Sequence, residues 1–458
     1  MPPKEHEHSE HVTDGADILG NETVATVSPA RTEVEKPSWT SDPLIIARGP
    51  WNLAVLAYHQ ILFRIAWVFK TESIVFPAII DWLIGAGAGP IRGILPILSR
   101  VGQSFPPVLL ADRMRRARRK MLAPAVTTMA IAISMALMGV VCHLGQFDPS
   151  QKWLVPAVLT TYFLFCVSFG IYRISAGTLK GKLIRPERRG RLLLVSTFWG
   201  AIPSAILAYL FLGPWFTEEP LQFHMSCYCA AIGFFFASIC LFLVKEPKDK
   251  KQTKPPKNPR ENISELWSTF RGDPTLRLLT LIVAIFGSGL IVLPHYQALR
   301  VGLGLSSSHL VYWIIAQSTA VGCFSLIVGP SADRFGNRLT MRFMMFGATL
   351  SPLLAALLPL LPHPWGGRFY WLVFVTLTLQ PLVLRIVANY TLEICANTMH
   401  ARYLSTINLC QVFPFLFSPF VGYLFETVNT TYLMLTIAAL MLAAALMTFR
   451  LPEPRHDT

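Results

Sequence analysis

Long runs free of Asp, Glu, Lys and Arg dominate the chain, at 122–147, 153–172, 192–216, 221–244, 278–299, 301–332, 343–362, 403–425 and 429–449. A helix that crosses the hydrocarbon core needs about 20 such residues, so each run predicts a span. Three further apolar stretches, near 58–80, 93–110 and 369–392, carry Arg64, Lys70, Glu72, Arg100 and Arg385 within them. The pattern therefore predicts an all-α integral membrane protein with twelve transmembrane helices. It divides into a polar tail over 1–47, a six-helix bundle over 48–245, a basic linker over 246–275, a second six-helix bundle over 276–450 and a short tail over 451–458.

Composition agrees with this pattern: 53% of residues are hydrophobic and only 14% charged, too few for the surface of a soluble chain of this size. The first tail, beginning MPPKEHEHSEH, has no charged-then-apolar leader pattern and reads as a disordered segment in water. The linker, KEPKDKKQTKPPKNPRENIS, is too rich in Lys and Pro to insert, although its ENISELWSTF end suits a short interfacial helix.

Basic residues fix an orientation. Twenty-five lie in the loops of one side and four, Arg92, Lys152, Arg300 and Arg368, in those of the other, which places both termini in the cytoplasm of a plasma or inner membrane. Trp82, Trp153, Trp215, Trp365 and Trp371 fall at the predicted outer ends, as an interfacial aromatic belt requires. A formal charge of +14 then needs anionic inner-leaflet lipid as its partner and no nucleic acid.

Bond-making chemistry finds no support in the sequence. Gly177 followed by Gly181-Lys182 has the wrong spacing for a phosphate loop and continues into Leu183, and there is no nucleophile elbow, zinc helix or paired Cys-x-x-Cys. The eight cysteines are scattered, mostly inside spans, and behave as small buried thiols. His224, Cys227 and Cys229 lack a fixed ligand spacing, and His6, His8 and His11 sit in a low-complexity tail. No metal and no cofactor is expected, and the chain is not expected to be an enzyme.

An Asp-Arg pair occurs twice, each time between two apolar runs and leading into a basic segment: Asp112-Arg113 and Asp333-Arg334. The second copy, GPSADRFGNRLTM, resembles the loop 8–9 signature of the major facilitator superfamily at Gly329, Asp333, Arg334, Gly336 and Arg338, with Asn337 where that family has Arg. LLADRMRRARRKM looks like its loop 2–3 copy, although Val108 and Arg115 stand where Gly is expected. RPERRGR at 185–191 and Arg173-x-x-Ala176-Gly177 are similar to further segments of that family, with Ala for Gln in the latter. The resemblance extends over about residues 50–450 and implies a two-half secondary transporter whose substrate binds near the midplane. It also implies that Asp112 and Asp333 belong to a conformational latch, the alternative being charges that only set topology.

Ionisable groups inside spans mark functional positions, because a charge at the bilayer centre costs about 2.5–3.5 kcal/mol even on the lenient insertion scale. Glu72, five residues before Pro77, and Arg100, twelve before Asp112, lie at depth; they are candidates for an ion pair acting as gate, carboxylate site or proton relay, with Lys70 as a competing partner. Arg173 and Arg385 occupy equivalent places in the fourth and tenth spans and suit a clamp on an anion, the alternative being that both snorkel to phosphates. His295 after Pro294 is a candidate proton shuttle or a packing residue. The fifth span lacks the glycine-proline pattern of the drug/proton antiporter branch, and no broken helix suited to sodium is evident. The expected function is alternating-access transport of a small solute, an organic anion being the candidate cargo and a proton the candidate coupling ion. The competing expectation is a binding or scaffold protein that kept the fold without transport, its tail and linker recruiting partners.

Overall fold

Helix boundaries follow local chemistry closely. The computed structural model describes residues 47–453 except 185, 218–219, 250–258 and 396–398, and among these it contains helices and turns but no strand. The first column consists of α1 (Gly49–Phe69) and α2 (Val75–Ile84), followed by α3 (Gly89–Arg116), α4 (Leu122–Phe147), α5 (Leu154–Leu183), α6 (Pro186–Leu207) and α7 (Phe223–Phe242). Within the linker lies α8 (Pro259–Gly272), and then come α9 (Pro274–Phe286), α10 (His309–Phe335), α11 (Asn337–Leu357), α12 (Leu379–Glu393), α13 (His400–Cys410), α14 (Ser418–Thr427) and α15 (Thr430–Met447). Asp273 caps α9, accepting from the amides of Thr275 and Leu276 at 2.7 and 3.2 Å while Pro274 occupies the first turn, where its missing N–H costs nothing. Gly336 turns α10 into α11 at φ +88° and ψ 155°, a region essentially closed to residues with a side chain.

Eleven helices among the described residues are long and apolar enough to cross a membrane. The stretch at 93–110, where α3 carries Arg100 among polar residues and prolines, is not among them. The chain is thus a multi-pass membrane protein. ENISELWSTF lies within α8, which packs against α9 and α13.

The first and seventh spans are broken, which the sequence pattern did not reveal. Residues 70–74 separate α1 from α2, and short turns at Ser288–Ile291, Leu293–His295 and Gln297–Arg300 replace a continuous helix after α9. A proline ring clashes with the carbonyl four residues earlier. Pro77 acts in this way on Ser73 and Pro294 on Leu290, so each interruption sits where the clash falls. The backbone freed at the first break is held locally: Thr71 donates its hydroxyl to the Val68 carbonyl at 2.8 Å, and the Val75 amide bonds Thr71 O at 2.8 Å. Such irregular backbone is tolerated at membrane depth only where protein or water, and not lipid, surrounds it.

Within residues 49–242, α7 packs on α4 and α1, α5 on α4 and α3, and α6 on α1; beyond the linker, α11 packs on α15 and α12, and α9 on α15. Two seams join these parts, α3 against α14 and α6 against α10. No comparable packing links α5 to α12 among the described residues.

Candidate functional site

Six cations converge where the two parts of the chain face each other. Arg64 and Lys70 come from the first column, Arg100 from α3, Arg173 and Lys180 from α5 and Arg385 from α12. Arg385 is an electrostatic neighbour of Arg64, Arg173 and Lys180, and Arg173 is one of Arg100, so charges distant in sequence form one group. Glu72 is the one carboxylate among the described residues that acts on this group, through Lys70, Arg100 and Arg173.

That carboxylate is already engaged. Lys70 Nζ donates to Glu72 Oε1 at 2.7 Å, with the lysine side chain fully buried and the glutamate 22% exposed. The ammonium also lies 2.8 Å from the centre of the Trp67 ring and 4.2 Å from that of Phe165, a desolvated cation–π contact. Phe63, Phe169 and Tyr172 continue the aromatic wall, with Phe63 and Tyr172 stacked at 4.6 Å. The helix break brings Lys70 and Glu72 together, since residues two apart on an intact helix do not face each other.

A Glu72–Arg100 pair, expected as one possibility, is not what forms. Arg100 donates to Gln411 Oε1 at 2.7 Å and lies 4.6 Å above the Phe415 ring, contacts that reach the far part of the chain. Arg64 likewise crosses, donating to the Ser318 carbonyl at 3.0 Å, and Ser73 donates to Gln317 at 2.7 Å. Arg173 has one neutral partner, Gln103 at 3.3 Å.

Arg173 and Arg385 are both exposed although protein encloses them, so they line internal space and do not face a packed core. Periodicity supports the same placement: Arg173 and Gly177 are exposed one turn apart on α5, and Pro381, Arg385 and Asn389 are exposed four residues apart on α12. A face carrying Arg and Asn suits water better than lipid. Arg173 and Arg385, one from each part of the chain, are thus electrostatic neighbours on water-compatible faces.

At the opposite end from the linker, the two parts meet at backbone distance. Gly89 and Gly93 of α3 face Ser418 and Gly422 of α14, two small-x-x-x-small stripes. A Cβ on Gly422 would lie 2.2 Å from the Gly89 carbonyl oxygen. Charges surround this crossing. Glu426 accepts from the Gly89 amide at 2.8 Å and from Arg92 at 3.3 Å, Arg92 pairs with Asp81, and Gln297 donates to Asp81 at 2.6 Å. Sequence reading missed this clasp because Asp81, Arg92 and Glu426 look like ordinary loop-flanking charges.

His295 lies apart from the cation group. It is fully buried, stacked on Phe425 at 4.2 Å, and neither ring nitrogen has a hydrogen-bond partner among the described residues. In the two loops expected to act as a latch, the side chains of Asp112, Arg113 and Asp333 lie outside the described residues. Gly329 is exposed with open space around it, Arg334 is exposed beside its neighbour Phe335, and Arg338 Nε is 3.9 Å from Glu453. Asn337, the departure from the family pattern, donates to Glu393 at 2.8 Å at the end of α12. Among the described residues His, Cys, Asp and Glu form no group of three able to hold a metal.

Residues 104–419, well over half of the chain, match the family model described as Major Facilitator Superfamily. The chain belongs to this superfamily. Solved structures of similar fold include a variant of the nucleoside transporter NupG, at TM-score 0.63 and 12% identity over 88% of this chain and 100% of that one. A POT family transporter in complex with 5-aminolevulinic acid matches at TM-score 0.64 and 13% identity, over 87% of this chain and 95% of that one. A bacterial homologue of the human lysosomal transporter Spinster, in an inward-facing and unoccupied conformation, matches at TM-score 0.57 and 14% identity, over 90% of this chain and 97% of that one. No curated protein matches the chain in sequence. As a superfamily member the protein is a multi-pass transmembrane transporter.

Proposed function

We propose that the chain carries a small organic anion by alternating access, as twelve spans in two six-helix bundles with both termini in the cytoplasm of a plasma or inner membrane. The observation that carries this reading is the charge balance of the central group. Among the described residues six cations face one carboxylate, and that carboxylate is bound to Lys70. Intramembrane charges are retained where they do something, and unpaired cations in internal space attract an anion. Arg173 and Arg385 would grip it from the two bundles, since guanidinium groups match carboxylate or phosphate oxygens in pairs. The half-buried rings of Phe63, Trp67 and Phe169 offer an apolar wall to the rest of the molecule.

In this reading the glycine clasp closes the outer side and the space between α5 and α12 opens inward. The Asp-Arg loops, with Asp112, Arg113, Gly329, Asp333, Arg334, Gly336 and Arg338, act as the latch released during rocking. Glu72 is the group at which a coupling proton would bind, because neutralising it frees the Lys70 ammonium for the anion. His295, buried away from the cations, is left to packing.

The test is flux by purified protein in liposomes, using labelled mono-, di- and tricarboxylates, organic phosphates, sugars and amines, with and without an imposed proton gradient. Anions should move and neutral or cationic solutes should not, and Arg173→Gln or Arg385→Gln should each weaken apparent affinity about tenfold or more, the loss of one charge-assisted hydrogen bond. Transport of sugars or amines with no anion flux would refute the reading.

A further inference from the structure

Among the described residues Arg64, Lys70, Arg100, Arg173, Lys180 and Arg385 exceed their one carboxylate by five charges. Neither the Lys180 nor the Arg385 side chain has a hydrogen-bond or ion-pair partner among the described residues, and their electrostatic neighbours are each other, Arg64, Arg173 and His59. The cations are also divided between the two parts of the chain. Lys180 and Arg173 belong to α5, Arg385 to α12, and among the described residues no extensive packing links these two helices. Any motion that closes this end must bring α5 and α12 closer and remove water from between like charges, where their repulsion grows as the local dielectric falls. Hydrogen bonds to neutral groups, such as Arg100 to Gln411 and Arg173 to Gln103, position these cations without cancelling them.

From this geometry we infer that the protein is an obligatory exchanger of multivalent anions: the unloaded carrier is held open at the linker end by its own charge and crosses to the other state only with an anion of at least two negative charges bound. This inference rests on the anion-carrier reading and adds the mode and the valence. A monoanion leaves four of the five surplus charges in place, whereas a di- or trianion bridging Arg173 and Arg385 cancels much of the repulsion across the gap. Protonating Glu72 would raise the surplus, so a coupling proton could accompany the anion but could not return the unloaded carrier.

The experiment compares efflux of labelled inorganic phosphate, citrate and phthalate from proteoliposomes into medium with or without the same unlabelled anion, the membrane potential being clamped. Exchange should exceed net efflux at least tenfold, and Lys180→Gln, which lowers the surplus by one, should narrow that ratio by speeding net efflux. In parallel, spin labels at Leu122→Cys and Phe335→Cys in a cysteine-free background report the linker-end separation without any substrate. The Lys180→Gln variant should populate a shorter distance that the parent lacks in chloride buffer. Equal exchange and net efflux overturn the inference and leave the carrier reading intact. No flux of any probe, together with a linker-end distance indifferent to Lys180→Gln, overturns both.

Discussion

Replacing Gly422 by Ala tests whether the α3–α14 crossing sets the resting state. A Cβ there would approach the Gly89 carbonyl oxygen to 2.2 Å and the carbonyl carbon to 2.9 Å, backbone atoms that cannot rotate away. Ordinary contact begins at 3.4 Å, so the two helices must part by roughly 1 Å. Glu426 stands one turn further along α14, and its bonds to the Gly89 amide at 2.8 Å and Arg92 at 3.3 Å would lengthen beyond hydrogen-bonding range. Two charge-assisted bonds are worth about 3–6 kcal/mol in burial, but Glu426 is one-third exposed, so about 2 kcal/mol is the appropriate scale. That loss shifts an equilibrium between two access states about 30-fold toward the one in which this end is open. Double electron–electron resonance between labels at Leu122→Cys and Phe335→Cys reads the result, because opening one end of a rocking pair closes the other. An unchanged distance distribution in folded Gly422→Ala protein would refute the argument, since it would show that the crossing gives way without altering the balance of states.

Other outcomes follow from the same structure. Lys70→Met should lower the melting temperature markedly, as a partner removed from a buried pair leaves about 3–5 kcal/mol uncompensated; adding Glu72→Gln should restore much of the loss, a coupling visible in a double-mutant thermal series. Gly336→Ala should cost about 1–3 kcal/mol because φ +88° with ψ 155° is strained for any side chain, and a melting curve equal to the parent's would exclude that strain. His295→Phe should preserve stability and leave the pH profile of transport unmoved, since the ring makes no hydrogen bond among the described residues and keeps its stack on Phe425; an altered profile would return His295 to the proton path.

Much of the architecture was legible in the chain because hydropathy is summed locally. A run such as 122–147 lacks charges and is long enough to span, and α4 (Leu122–Phe147) occupies the same residues. The motif glycine at 336 was legible for a related reason: the turn between α10 and α11 requires a conformation only glycine adopts cheaply, and that requirement belongs to one residue. Arg173 and Arg385 were also recognisable, as charges inside apolar stretches.

Partnership was not legible, because it depends on how helices distant in sequence are set against each other. Glu72 could be matched equally to Lys70 or Arg100 from position alone; the break before Pro77 turned Lys70 toward it, while the turns between α13 and α14 supplied Gln411 and Phe415 to Arg100. The Gly89–Gly422 crossing joins residues more than 300 positions apart, and Lys180 became part of the cation group only when α12 was placed opposite it. The sequence determined which segments leave water and which charges go with them, since each segment meets that cost by itself. The tertiary structure decided which charges share a space, because Coulomb energy depends on separation, and separation across a bundle is set by packing that no single segment contains.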